Sequence, residues 1–199
     1  MKRIALALAL ALAPTASLAQ DFDFRGARLG MSLDDFEALP PINGGRTSCS
    51  TMRQLSQPET SPDSVAGVLL CSREGDAPFA EDDFVRQMLT RVSYRFLPAE
   101  DGVPRLWKIE MRVVRGNVPQ ARTALVQRFG SPERVDQSQL TNLFGARLTR
   151  NTDMWTKETS NIFLASICES VEYGCVAYIN NDLTRVYESR TSHITSPSF

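Results

Sequence analysis

Between Val92 and Val113 the chain alternates apolar and polar residues with a period of two. In the first run Val92, Tyr94 and Phe96 fall on one side and Ser93 and Arg95 on the other. In the second, Trp107, Ile109, Met111 and Val113 oppose Lys108, Glu110 and Arg112. Successive side chains of a strand point to opposite faces, so the pattern predicts two strands with one face buried and one wet. That asymmetry belongs to antiparallel sheets and excludes a parallel sheet covered on both sides. Pro98–Pro104 supplies the connection. An aromatic row of this kind is also able to line a ligand site, but packing in a core accounts for it.

Two helices are legible. In Gly30-Met31-Ser32-Leu33-Asp34-Asp35-Phe36, Ser32 is an N-cap and Asp35 stands three residues on, as in a capping box. Met31 and Phe36 are placed to form a hydrophobic staple, and Asp34 and Asp35 sit where the helix dipole favours anions. These roles account for both carboxylates without acid–base catalysis. The helix is expected to stop before Pro40-Pro41. The second runs from Val118 to Phe129, with Pro119 in its first turn, Ala121, Leu125 and Phe129 in a stripe, and Gly130 at its end. Its outward face carries Gln120, Arg122, Gln127 and Arg128.

Further strands are predicted at about 46–55, 64–72, 146–157, 161–168 and 175–181, and Asp21–Gly30 reads as a short strand and turn. Residues 57–63 and 75–83 read as surface loops. The second loop holds Glu81-Asp82-Asp83, which lacks the alternating ligands and distal Glu of a calcium loop. Residues 188–199 are polar and expected to be a disordered tail. The chain ends in Phe199, but Pro197, Thr195 and His193 break the alternation of an outer-membrane barrel strand.

Met1-Lys2-Arg3 is followed by an apolar run, Ile4–Ala13, and then by Ser17-Leu18-Ala19. Charge, apolar core and small-x-small site together predict a secretory signal peptide over residues 1–19, cut between Ala19 and Gln20. The run is too short to be a spanning anchor, and no Cys follows the cut to carry a lipid. The expected location is therefore the periplasm or the medium. The formal net charge is −1 at pH 7, and losing Lys2 and Arg3 makes the chain more acidic. Such a balance speaks against nucleic acid and gives no polybasic handle for anionic lipid. The basic residues are nearly all Arg and are dispersed, which reads as compositional bias rather than an anion site.

The four cysteines, Cys49, Cys71, Cys168 and Cys175, read as disulfides in an exported chain. Three pairings are open, and proximity favours Cys49–Cys71 and Cys168–Cys175. Loops of those sizes are worth on the order of 3 and 2.5 kcal/mol in the chain-entropy model. Neither pair has Cys-x-x-Cys spacing, so a redox role is not indicated. With His193 the sole histidine and far from any Cys in sequence, neither a zinc site nor any cofactor is expected.

The element order predicts an α+β domain over residues 20–187 with helices on one face of the sheet. It reads as two helix-plus-antiparallel-sheet units, αββββ then αβββ, over about 20–115 and 116–187, stapled by disulfides. Phe24-Arg25-Gly26-Ala27-Arg28-Leu29-Gly30-Met31-Ser32-Leu33-Asp34-Asp35-Phe36 resembles the opening of small exported bacterial proteins. These are the outer-membrane assembly lipoproteins (BamE-like) and the β-lactamase inhibitor proteins. The resemblance implies a capped helix ahead of antiparallel strands. For the inhibitor family it also implies tandem units with one disulfide each, which Cys49–Cys71 and Cys168–Cys175 would fit. The second half departs from the motif, with Gly116-Asn117-Val118-Pro119 in its place.

No catalytic motif stands out. The expected function is that of a non-enzymatic envelope-accessory or protein-binding module, with a protein partner in the cell envelope. The alternatives are an exported hydrolase and a secreted enzyme inhibitor. A hydrolase would need His193 to dock as a base, or a carboxylate pair such as Glu110 with Glu158.

Overall fold

The two alternating segments pair with each other, and the rest of the sheet grows outward from them. A computed structural model describes residues 22–42, 44–75, 89–141, 145–168 and 170–194. The expected leader with its Ala19–Gln20 cut, the Glu81-Asp82-Asp83 triplet and residues 195–199 lie outside the described residues. A small hairpin, β1 (Asp23–Phe24) with β2 (Ala27–Arg28), precedes α1 (Leu33–Glu37). Then come β3 (Thr47–Thr51), α2 (Pro62–Ala66), β4 (Leu69–Arg73), β5 (Leu89–Pro98) and β6 (Pro104–Val114). After α3 (Val118–Phe129) follow β7 (Arg134–Thr141), β8 (Arg147–Thr156), β9 (Ser160–Ala165), β10 (Tyr173–Asn180) and α4 (Asn181–Thr191). Strands β3 to β10 form one antiparallel sheet in the order β3-β4-β5-β6-β10-β9-β8-β7. Among the described residues no helix is long and apolar enough to cross a membrane.

The α+β class and both disulfides agree with expectation. Cys49 faces Cys71 across β3 and β4, with Cα atoms 4.1 Å apart. Cys168 bonds Cys175 at the end of the β9–β10 hairpin, with Cα atoms 6.0 Å apart. Local cues also hold. Asp35 N–H donates to Ser32 Oγ at 3.1 Å, and Ser32 Oγ–H donates to the Asp35 carboxylate at 2.7 Å. The β1–β2 turn has φ of 51° at Arg25 and 83° at Gly26, the left-handed pair that a two-residue hairpin needs.

Four expectations need correction. Residues 62–66 form a capped helix rather than the loop and start of a strand, because Ser61 Oγ accepts from Ser64 N–H. The second half carries four strands, not three. The unread one, β7, is an edge strand wet on both faces, so it shows no apolar alternation. Residues 188–191 belong to α4 and not to a tail, since Asn180 caps that helix through Leu183 N–H at 2.9 Å and Leu183 is buried. Finally, Trp107 does not share a face with Ile109, Met111 and Val113. Arg95 pairs with Lys108 but Phe96 with Leu106, so Trp107 is an extra residue at a β-bulge. It packs instead with Met52, Val68, Leu97 and Leu183 in a second cluster.

The two clusters define the layers. Helices α1 and α3 cover one face of the sheet. Phe36 of α1 is fully buried, its ring 4.7 Å from Tyr94 and 5.1 Å from Phe96. Ala121 and Leu125 of α3 are buried over β6, β9 and β10, and Phe129 meets Phe22 edge-on at 5.0 Å. Trp155 Nε1–H donates to Gly130 O at 2.8 Å, fastening the end of α3 to β8. The expectation of helices on one face alone does not hold: α2 and α4 lie on the other face, around the bulge, where Ala66 and Leu183 join the second cluster. There Trp107 stacks on Tyr187 at 4.3 Å and donates through Nε1–H to Thr184 Oγ1 at 3.0 Å.

Phe36→Ala removes a fully buried ring that two aromatic neighbours cannot replace. We expect it to lower the unfolding free energy by about 3–5 kcal/mol in urea titration with the disulfides intact. Burial pushes the Tyr178 hydroxyl up to about 12. In the unfolded chain it ionises near its ordinary value of about 10, so the unfolded state loses its proton first as pH rises. Stability contributed by neutral Tyr178 is whole below pH 10 and falls between 10 and 12, by at most about 1.4 kcal/mol per pH unit. Tyr178→Phe should flatten that alkaline slope.

Candidate binding face

On the face turned away from α1 and α3, three rows of side chains cross the sheet at fixed register. The middle row runs Ser93, Glu110, Ala177, Phe163, Met154 and Arg134 over β5, β6, β10, β9, β8 and β7. One flanking row holds Arg95, Lys108, Ile179, Asn161 and Thr156. The other holds Arg91, Arg112, Cys175, Ala165, Thr152 and Asp136. No described helix covers the central part of these rows. Phe163, Met154, Ala165 and Tyr173 there are half-buried, flanked by Ala177, which is buried.

The rows divide the face chemically. The β8–β10 side has an apolar middle, Ala177, Phe163 and Met154, flanked by Asn161, Thr152 and Thr156. The β5–β6 side holds Arg91, Arg95, Lys108 and Arg112 with a single carboxylate, Glu110, among them. Lys108 and Glu110 form an ion pair, both side chains about one-fifth exposed. Burial opposes ionisation of Glu110, but Lys108, with Arg95 and Arg112 behind it, outweighs burial and holds the carboxyl below its ordinary value. Arg95 is ion-paired to Asp63 of α2, which also accepts from Tyr187 Oη–H at 2.9 Å. Arg95 Nε is buried without a hydrogen-bond partner. The Arg112 guanidinium lies 4.9 Å over the Tyr173 ring. Arg91 is exposed and has no ion-pair or hydrogen-bond partner among the described residues.

Two adjoining hollows open here. The larger, about 450 Å³, lies between α2, α4 and the sheet and includes Met52, Leu55, Pro62, Leu70, Arg91 and Arg95 in its lining. The smaller, about 60 Å³, is lined by Leu70, Arg91, Ser93, Arg95, Glu110 and Arg112. Leu70, Arg91 and Arg95 line both, so the hollows are neighbours.

The residues weighed for chemistry are not assembled into a reacting group. His193 lies exposed just past the end of α4. Glu110 is tied to Lys108 on β6, whereas Glu158 is exposed in the β8–β9 turn. Asp34 and Asp35 stand in the first turn of α1, as capping requires. All four cysteines are bonded, and among the described residues no three His, Cys, Asp or Glu side chains gather as a metal would need. The arrangement sets cations and polar groups beside half-buried apolar side chains. Alternation exposed Arg95, Lys108, Glu110 and Arg112 in the sequence. Arg91, Phe163 and Met154 become part of the same surface only through the cross-strand register. No protein-family model matches this chain, and no curated protein or solved structure is significantly similar to it.

Burial raises the Tyr187 hydroxyl, and the hydrogen bond to Asp63 and the charge of Asp63 add to it. Asp63→Asn should let Tyr187 ionise at lower pH in an ultraviolet titration. It should also lower stability by about 1–3 kcal/mol, since Arg95 loses its counter-charge in a partly dry site.

Proposed function

We propose that this protein is an exported, non-enzymatic binding module of the cell envelope whose open sheet face docks a protein partner. The observation that supports this most is the half-buried apolar patch of Phe163, Met154, Ala165 and Ala177 beside a cationic strip. Protein interfaces commonly join an apolar centre to a rim rich in Arg and Tyr, and Arg112 over Tyr173 supplies such a rim. Two disulfides fit an oxidising compartment, in keeping with the signal peptide expected at residues 1–19. In this reading the chain is a tandem of two units, α1 with β3–β6 and α3 with β7–β10, joined where β6 meets β10. Each unit would hold one disulfide, as the resemblance to the β-lactamase inhibitor family implies.

The test is photocrosslinking in the native host. Benzoylphenylalanine replaces Phe163 at the centre of the face, or Gln127 on the outer side of α3 as a control. We expect a reproducible adduct from position 163 that position 127 does not give. Identical patterns from both positions, or none from 163, would count against docking at this face.

A further inference from the structure

Strand β7 is one edge of the sheet, and its backbone is set up to take another strand. Ser166 N–H donates to Asn151 O at 2.9 Å, so the odd-numbered residues of β8 turn their backbone groups to β9 and the even-numbered ones to β7. With Arg134 against Met154 and Asp136 against Thr152, the even-numbered residues of β7 complete that ladder. The N–H and C=O groups of Val135, Gln137 and Gln139 therefore point outward, past the sheet. Natural edges are blunted by shortness, Lys, Pro or bulges. The eight residues of β7 include no Lys, Pro or Gly and keep one register with β8 throughout. Val135 is 60% exposed, more than any other large apolar side chain among the described residues. The opposite edge, β3, has only five residues and is finished from within. Thr51 N–H donates to Gln54 Oε1 at 2.7 Å, and Thr51 O accepts from Leu55 N–H at 3.2 Å.

We propose that β7 pairs antiparallel with β7 of a second copy of this chain, about a two-fold axis that crosses the sheet at Gln137. An axis through Gln137 or Ser138 engages most of the strand, and the side chains choose between them. At Ser138 it would set Asp136 against the apolar Leu140 of the second copy. At Gln137 it sets Asp136 against Ser138 of the second copy, whose hydroxyl donates to the carboxylate. Arg134 then lays its stem along Leu140 of the second copy, and Val135 meets Gln139. The outward backbone groups of Val135, Gln137 and Gln139 bond in turn to those of Gln139, Gln137 and Val135 across the axis. Each Gln137 amide gives one N–H to Asn151 Oδ1 at 3.0 Å, which leaves its other N–H and its carbonyl oxygen for Gln137 of the second copy. Arg134 and Asp136 form an ion pair within the strand at 2.8 Å, so two neutral edges approach each other. A second copy is favoured over an unrelated strand because this register opposes no like charges and leaves no charge against an apolar side chain except the Arg134 stem. The pairing is a closed, isologous dimer. It lies outside the docking role proposed above and would set two copies of the open face on the same side of one continuous sheet.

The test is sedimentation equilibrium of the purified chain with both disulfides formed, at about 100 µM and low salt. We expect a dimer. Gln137→Pro removes the outward N–H at the axis and no bond to β8, so it should weaken association at least about tenfold while keeping the parent's circular dichroism. Gln137→Lys and Gln137→Glu should each dissociate. Their equimolar mixture should regain a dimer at least about fivefold tighter than either variant alone, because opposite charges then face across the axis. Gln120→Lys and Gln120→Glu, on the exposed side of α3, should associate as the parent does. A parent that stays monomeric overturns the proposal, as does a dimer that Gln137→Pro leaves intact or a mixture no tighter than its components. A monomeric purified chain whose position 137, carrying benzoylphenylalanine, crosslinks a different protein in the native host would also overturn self-pairing and assign the edge to that protein. The crosslink from position 163 bears on the docking face alone, so the two readings fail separately.

Discussion

The pairing of β6 with β10 is the constraint on which the rest of the structure depends. Seven register pairs, from Tyr173 with Val114 to Ile179 with Lys108, join the two halves of the chain in one sheet. The contact closes a long loop, and that entropy must be recovered by burial around the seam. Ile109, Met111 and Val113 of β6 and Val176 and Tyr178 of β10 are all buried there. The seam also composes the candidate face, because it brings the β5–β6 cations alongside Ala177 and the Phe163–Met154 row. Without it the β5–β6 cations and the Phe163–Met154 row would lie on separate sheets.

The sheet's two faces are finished differently, and the bulge at Trp107 decides how. A residue inserted into β6 sends Trp107 through to the far side, where α4 docks on it. That anchors α4 near the β5–β6 turn, and no described helix covers the centre of the β8–β10 side. Arg190 strengthens the anchorage, donating to Ala66 O at 3.2 Å and to Ala99 O at 3.3 Å. The position of one extra residue thus fixes where α4 sits on this face.

The sequence carried the parts of this fold whose cues are local. Ser32 with Asp35, Pro119 with Gly130, the Val92–Phe96 alternation and the spacing of the cysteines each state their structure within a few residues. Elements whose identity depends on neighbours were less legible. β7 is held by pairing with β8, and its exposed side chains carry no pattern of their own. α4 did have a signal, with Asn180 as cap and Leu183, Val186 and Tyr187 on one stripe, but its polar residues resembled a tail. The binding face was half legible. Alternation showed that Arg95, Lys108 and Arg112 point away from the core. Only the register shows that Arg91 stands against Arg112, so arginines dispersed along the chain become a cluster.

The first and last described segments are exchanged across the seam. Phe22, ahead of the first hairpin, packs on Phe129 and Tyr178 in the C-terminal half. Helix α4, the last described element, packs on Trp107 and α2 in the N-terminal half. Each half is therefore closed by a segment belonging to the other, like a pair of interlocked hooks. Removing either half would therefore uncover part of the other's core, so the two are packed as one unit.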